Sequence, residues 1–134
     1  MRRTAAAIAA VVVALTGCGG SAGDLLAISV TGGGTPHARY VVTGDGLASC
    51  NGGKDKTLPS QTVLDARDVE RRLTDYAKER ASFTNGPPGA RSYVASTKDG
   101  IVSWVEGARG APTVIGKAIL LTQNIKTAVC PAGG

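Results

Sequence analysis

Three cysteines and a histidine are the side chains with the widest chemical repertoire in this sequence: Cys18, Cys50, Cys130 and His37. Such residues can ligate a metal ion, act in nucleophilic catalysis or form disulfides. A zinc site needs several His or Cys ligands at short spacing, but the sequence has one histidine and no Cys-x-x-Cys motif. His37 follows Pro36 in a predicted turn, where we expect it to be exposed to solvent. We therefore expect no metal ion, no cofactor and no enzymatic activity.

The first 17 residues have the layout of a secretory signal peptide. Arg2 and Arg3 precede an apolar stretch from Ala5 to Ala14, and small residues follow it. This stretch is too short to span a membrane, because a spanning helix needs roughly 20 apolar residues. The segment 1–17 is therefore predicted to direct export and to be removed.

The residues at the end of this segment, Leu15, Thr16, Gly17 and Cys18, resemble the lipobox of bacterial lipoproteins. The resemblance implies that lipoprotein signal peptidase recognises Leu15, Thr16 and Gly17 and cuts before Cys18, whose sulfur carries a diacylglyceryl group. The mature protein would then be anchored to the extracytoplasmic face of the cell membrane. The alternative is an ordinary secretory signal with Cys18 near the cleavage point. The whole chain is also similar to small Ala/Gly-rich lipoproteins of actinobacteria, most of which have no assigned activity.

The sequence after the signal peptide divides into a tether, one domain and a short tail. Residues 18–24 contain the cysteine and the flexible run Gly19 to Gly23, which spans only about 12 to 13 Å as a random coil. Residues 25–131 suit a single domain, and 132–134 form the tail. Removing Arg2 and Arg3 leaves 13 basic and 10 acidic side chains, a mild excess with no basic run. Nucleic acid is therefore not an expected partner.

If Cys18 carries lipid, the remaining cysteines are Cys50 and Cys130. An exported protein meets an oxidising environment, so these two most simply pair as a disulfide. The bridge would enclose about 80 residues and stabilise the fold by roughly 4.5 kcal/mol in the loop-entropy model. The alternative is a pair of free thiols or a cysteine-based site.

Several segments are typical of β-strands separated by glycine-containing turns. Leu26 to Thr31 alternates in hydrophobicity, and a β-rich run extends from Arg39 to Thr43. Ser92 to Thr97 and Ile101 to Glu106 flank Lys98-Asp99-Gly100, which predicts a hairpin with positive φ at both turn positions. Because Asp is favoured in turns for local hydrogen bonding, Asp99 is not expected to be catalytic.

Two amphipathic helices are predicted in the remaining sequence. Thr62 to Ala81 places its apolar residues on one stripe, starts with a capping-box-like Thr62-x-x-Asp65, and contains an Asp68–Arg72 pair at i,i+4. A second helix should follow Pro112, with a broad apolar face that indicates burial against a sheet. The loop Asn85, Gly86, Pro87, Pro88 and Gly89 should separate the first helix from the next strand.

These elements predict an α+β two-layer sandwich, in which two helices cover one face of an antiparallel sheet of four to five strands. The order is a strand followed twice by ββα. A weak internal repeat agrees with this order: Thr43 to Cys50 aligns without gaps with Thr97 to Trp104, and the pairs Tyr40-Val41 and Tyr93-Val94 precede these stretches. The alignment is equally consistent with duplication and with two unrelated Asp-Gly hairpins. We expect Trp104, the single tryptophan, to pack in the core.

The predicted order resembles the subtilisin-inhibitor fold, chiefly over Leu25 to Gly34 and Arg39 to Gly53. That resemblance implies a protease inhibitor in which Thr84 to Arg91 presents the scissile bond. The residues themselves favour a non-enzymatic binding or structural module at the cell envelope. We expect this module to engage an unidentified protein or envelope ligand through its uncovered sheet face or the loop Asn85 to Gly89.

Overall fold

The computed structural model describes residues 24–131. The predicted signal peptide, the predicted lipidation site at Cys18, the predicted tether up to residue 23 and the tail 132–134 lie outside the described residues. The elements in chain order are β1 (Asp24–Thr31), β2 (Ala38–Thr43), β3 (Leu47–Cys50), β4 (Lys56–Thr57), α1 (Ser60–Lys78), β5 (Ser82–Phe83), β6 (Ser92–Thr97), β7 (Gly100–Val105) and α2 (Thr113–Val129).

The strands form one sheet in the order β4-β3-β2-β1-β6-β7-β5, so the α+β class is confirmed. The predicted count of four to five strands is too low, because the sheet has seven. It is also mixed rather than purely antiparallel, since β5 pairs with β7 in parallel. The additional strands β4 and β5 contain two residues each, and two residues are too few to show strand periodicity.

One face of the sheet is buried under the two helices. In β1, Leu26, Ile28 and Val30 are buried, whereas the residues between them are half-buried. Alternation of this kind is typical of a sheet that packs on one side only. The helices contribute their own apolar stripes to the same core, including Leu73 of α1 and Leu121 of α2, both essentially inaccessible to solvent.

Helix α1 begins and ends at different residues from those predicted. It runs from Ser60 to Lys78 instead of Thr62 to Ala81, and Pro59 is its N-cap. The predicted capping box is wrong, because Thr62 lies buried inside the helix and no side chain caps the N-terminus. Pro59 suits this start because the residue before the first turn needs no helical N–H.

The C-terminus of α1 is closed by backbone hydrogen bonds rather than by the loop Asn85 to Gly89. Ala81 N–H donates to the Tyr76 carbonyl over 2.9 Å, and Arg80 N–H donates to Ala77 over 3.1 Å. With Arg80 at φ 51°, this is the pattern of a Schellman motif. Glycine usually occupies that left-handed position, so Arg80 carried no sequence signal for the end of the helix.

The hairpin between β6 and β7 is confirmed, but its turn differs from the prediction. Thr97 pairs with Gly100, so Lys98 and Asp99 form the turn. Neither has positive φ; Gly100 adopts φ 141° instead. A Cβ at Gly100 would collide with the carbonyl oxygen of Ala77. Glycine is therefore required here by the close approach of α1 as well as by backbone conformation.

Among residues 24–131, neither helix has the length and hydropathy needed to cross a membrane.

Candidate functional site

A pocket of about 170 Å³ lies between the sheet and the last turns of α2. We call it the distal pocket, because it lies near Val30, at the opposite end of β1 from Asp24. The side chains come from β1, the β1–β2 loop, β2, the end of β3, the start of β6, and α2. The lining residues are Val30, Thr35, Pro36, His37, Ala38, Tyr40, Cys50, Asn51, Arg91, Tyr93, Thr122, Gln123, Lys126 and Cys130.

Tyr40 and Tyr93 line the pocket from the two strands that flank β1. Tyr40 pairs with Ile28 and Tyr93 pairs with Val30, and both rings are buried on the helix-covered face. Burial raises the pKa of both phenols; the charge of Arg91 opposes the rise at each. Both groups are therefore neutral at physiological pH and can donate a hydrogen bond from O–H.

The position of Tyr93 is set by its neighbour on β7. Trp104 is its cross-strand partner, and the two rings stack with centroids 5.5 Å apart and planes 7° from parallel. Trp104 is 1% exposed, which confirms the prediction that it packs in the core. Its indole Nε1 is buried without a hydrogen-bond partner, so Trp104 acts here through packing.

The charged residues that line the distal pocket, Arg91 and Lys126, are both basic, and His37 lines it as well. Arg91 is half-buried, while His37 and Lys126 are exposed at the rim. No aspartate or glutamate lines the pocket. The exposure of His37 confirms the sequence prediction, although the prediction did not place it beside a cavity.

Arg91 is held between a glycine loop and an acidic residue. A Cβ at Gly33, which has φ 65°, would collide with Cγ of Arg91, so the β1–β2 loop can close over this side chain only with glycine there. On the other side, Nε of Arg91 lies 3.9 Å from Oε2 of Glu106. That separation is an ion-pair distance but is too long for a hydrogen bond.

A disulfide forms one wall of the distal pocket. Cys50, the last residue of β3, is bonded to Cys130, directly after α2, with the two Cα atoms 5.3 Å apart. The predicted pairing is confirmed, as is the prediction that it ties the end of a strand to the end of the last helix. The bond fixes the C-terminal end of α2 against the sheet at the place where the pocket opens.

The predicted binding loop Asn85 to Gly89 is distinct from the pocket but lies near it. The carbonyl of Asn85 accepts a hydrogen bond of 2.7 Å from Arg109 N–H. A Cβ at Gly86 would collide with the side chain of Val105. Pro87, Pro88 and Gly89 are exposed, so the loop presents a proline tip on an anchored base. None of its five residues lines the distal pocket.

The uncovered face of the sheet is flat and built from small and β-branched residues. Val94 and Ile101 are its large exposed apolar side chains, at 40% and 50% exposure. Ser103 Oγ donates to Ser82 Oγ at 3.1 Å on this face. Neither of the two pockets described for residues 24–131 lies on this face. We assign it no specific ligand.

A second groove lies between the two helices. It has a volume of about 180 Å³ and is lined by Asp65, Asp68, Lys117, Leu120 and others. Asp68 pairs with Arg72 at 3.0 Å, which confirms the predicted i,i+4 pair, and it also lies 3.9 Å from Lys117. Two acidic side chains and one basic side chain therefore line this groove, whereas no acidic side chain lines the distal pocket.

Sequence reasoning did not identify the distal pocket. One signal pointed to it: the Tyr-Val pairs of the internal repeat contain Tyr40 and Tyr93, which meet in the pocket from the two sides of β1. Arg91 lies at the end of the predicted loop Thr84 to Arg91, and its position in the sequence did not indicate that it lines a pocket. Within residues 24–131, no three His, Cys, Asp or Glu side chains are grouped so as to hold a metal ion.

Comparison with protein-family models gives no match, and comparisons with curated proteins and with solved structures give no significant match.

Proposed function

We propose that this protein is a membrane-anchored, extracytoplasmic lipoprotein whose folded domain is a non-enzymatic binding module for a cell-envelope ligand. The observation that carries the binding assignment is the distal pocket, where side chains from separate elements converge behind a disulfide. Ligand sites are usually preformed concavities with an apolar body and a few polar groups. The anchor at Cys18 rests on the lipobox resemblance.

The position of the pocket supports a ligand away from the lipid surface. The predicted tether joins the domain at Asp24, the first residue of β1, whereas Val30 lines the pocket near the other end. Six residues of extended strand cover about 20 Å. A domain anchored through residues 18–24 can therefore present the pocket to the envelope, with the tethered end towards the membrane.

A helix-surface substitution tests the binding assignment. Gln123 is exposed and lines the pocket, whereas Thr127 is exposed on the same helix but does not. We expect Gln123→Trp to obstruct the pocket without disturbing the core. Native mass spectrometry of the full chain, incubated with fractionated envelope extract, should show saturable binding of a small molecule that Gln123→Trp loses.

The matched control is Thr127→Trp, which adds the same ring one turn further along α2 and should bind like the unmodified chain. Equal binding by both variants would place the ligand elsewhere. No saturable ligand in the unmodified chain would contradict the proposal.

A second candidate function is protease inhibition, as in the subtilisin-inhibitor family. It is favoured by the exposed tip Pro87–Gly89 and the anchored base at Asn85 and Gly86, because inhibitors bind tightly through loops that change little on binding. Titration of subtilisin-like and trypsin-like proteases tests it. The absence of inhibition at micromolar protein would remove this candidate.

A further inference from the structure

We infer that the distal pocket binds a small organic anion: a carboxylate carried on an apolar body about the size of a benzene ring. This inference rests on the proposed function and adds the chemical class of the ligand.

The charge of the lining is the first argument. Arg91 and Lys126 are cationic, and no acidic side chain lines the pocket. A lining that contains cationic groups and no carboxylate, beside apolar walls, favours an anionic ligand, because charge attraction is stronger there than in open water. By contrast, two carboxylates, Asp65 and Asp68, line the groove between the helices together with Lys117.

The available hydrogen-bond donors are the second argument. Arg91 offers the planar guanidinium that matches a carboxylate in a two-bond arrangement. Nε of Arg91 lies 3.9 Å from Oε2 of Glu106, beyond hydrogen-bond distance, and a hydrogen bond from Arg91 to the Tyr93 phenol opposes the rise of that phenol's pKa. Arg91 and Tyr93 therefore form one polar group at the pocket. The neutral phenols of Tyr40 and Tyr93 add O–H donors from within the pocket.

Contacts with neighbouring residues restrain the position of Arg91. Cγ of Arg91 packs where a Cβ at Gly33 would lie, so the stem of the arginine is in contact with the β1–β2 loop. Tyr93, two residues further along the chain on β6, is fixed by its stack with Trp104. A site whose donors are held in place before binding loses less entropy on binding than one built from mobile side chains.

The size and apolar surface of the pocket define the rest of the ligand. Val30, Pro36, Ala38 and the disulfide supply apolar walls. The volume of about 170 Å³ is close to that of an engineered protein cavity of about 150 Å³ that accepts benzene. A ring-sized body therefore fits within the pocket.

Three small probes with a common ring test this assignment. The full chain is titrated with benzoate, with the neutral benzamide and with phenyl phosphate, and amide chemical shifts are followed by NMR. We expect saturable benzoate binding with shifts centred on Arg91, Tyr93 and α2. Benzamide should bind at least about tenfold more weakly, because it cannot form the charged hydrogen bonds.

Variants then identify the side chain responsible. Arg91→Gln should weaken benzoate binding at least about tenfold and leave benzamide binding unchanged. Arg109→Gln removes the same charge from an exposed residue that does not line the pocket and should bind benzoate normally. Tyr93→Phe, which keeps the stacked ring, should weaken benzoate binding several-fold.

The outcomes separate this inference from the proposed function. Equal affinity for benzoate and benzamide, no benzoate binding, or equal loss in the Arg91 and Arg109 variants would overturn the anion assignment. Phenyl phosphate binding more tightly than benzoate would overturn the choice of a carboxylate. If these probes fail while an envelope molecule still binds in a manner sensitive to Gln123→Trp, the binding module stands and only its ligand class is wrong.

Discussion

Tyr93 and Trp104 are direct cross-strand partners whose rings stack 5.5 Å apart in the core. Both rings belong to the hydrophobic core, and Tyr93 also lines the distal pocket. The same contact therefore stabilises the fold and positions a side chain of the pocket lining.

Replacing Trp104 by alanine should remove the largest buried side chain of the sheet. We expect the free energy of unfolding to fall by about 3 to 5 kcal/mol, as for other buried aromatic residues cut back to alanine. Urea unfolding followed by far-ultraviolet circular dichroism measures this. Leu64→Gln, at a site 55% exposed on α1, should change stability by no more than about 0.5 kcal/mol; equal effects would contradict the core role of Trp104.

Two glycine substitutions should change the stability of the fold in opposite directions, one through a steric clash and the other through helix propensity. Gly100→Ala should destabilise the fold by about 1 to 3 kcal/mol, because φ is 141° and the new Cβ meets the carbonyl of Ala77. Gly116→Ala lies inside α2 with no atom within 4 Å of the new Cβ. It should stabilise by up to about 1 kcal/mol. Thermal unfolding should move in opposite directions, and a shift in the same direction would contradict this account.

Removing the disulfide should loosen the wall of the distal pocket and destabilise the fold. For the Cys50→Ser, Cys130→Ser double variant we expect a loss of about 2 to 5 kcal/mol, measured by urea unfolding. The unmodified chain with reductant is the matched control and should unfold like the variant. Non-reducing peptide mapping should join Cys50 to Cys130. Alkylation of both thiols in the native protein would remove the bridge and the stability assigned to it.

The lipid anchor is tested at the residue that would carry it. Cys18→Ala should leave the precursor uncut and abolish labelling with a fatty-acid analogue, because both steps of the lipobox pathway need the thiol. Precursor size on gels and label incorporation give the result. Ser21→Ala, in the predicted tether, is the control and should be processed and labelled normally. Continued cleavage after Gly17 in the Cys18 variant would contradict the lipobox assignment.

Local patterns predicted the long elements well. The alternation in β1 and the apolar stripe of α2 depend on burial of one side of each element, so their periods are visible in the chain. The ends of α1 and the two-residue strands β4 and β5 were not predicted. Pro59 and Arg80 delimit the helix through backbone geometry, while β5 exists only because Ser82 and Phe83 lie beside β7.

The sequence by itself determined the α+β class, the hairpin at Lys98 to Gly100 and the pairing of Cys50 with Cys130, because these depend on local periodicity, turn chemistry and cysteine number. Only the tertiary structure decided that Arg91, Tyr40 and Tyr93 share a pocket. Tyr40 lies on β2, whereas Tyr93 lies on β6 and Arg91 directly precedes that strand. Their proximity therefore depends on which strands flank β1 and on where α2 ends. Strand order and helix docking arise from contacts between residues distant in sequence, which no local pattern encodes.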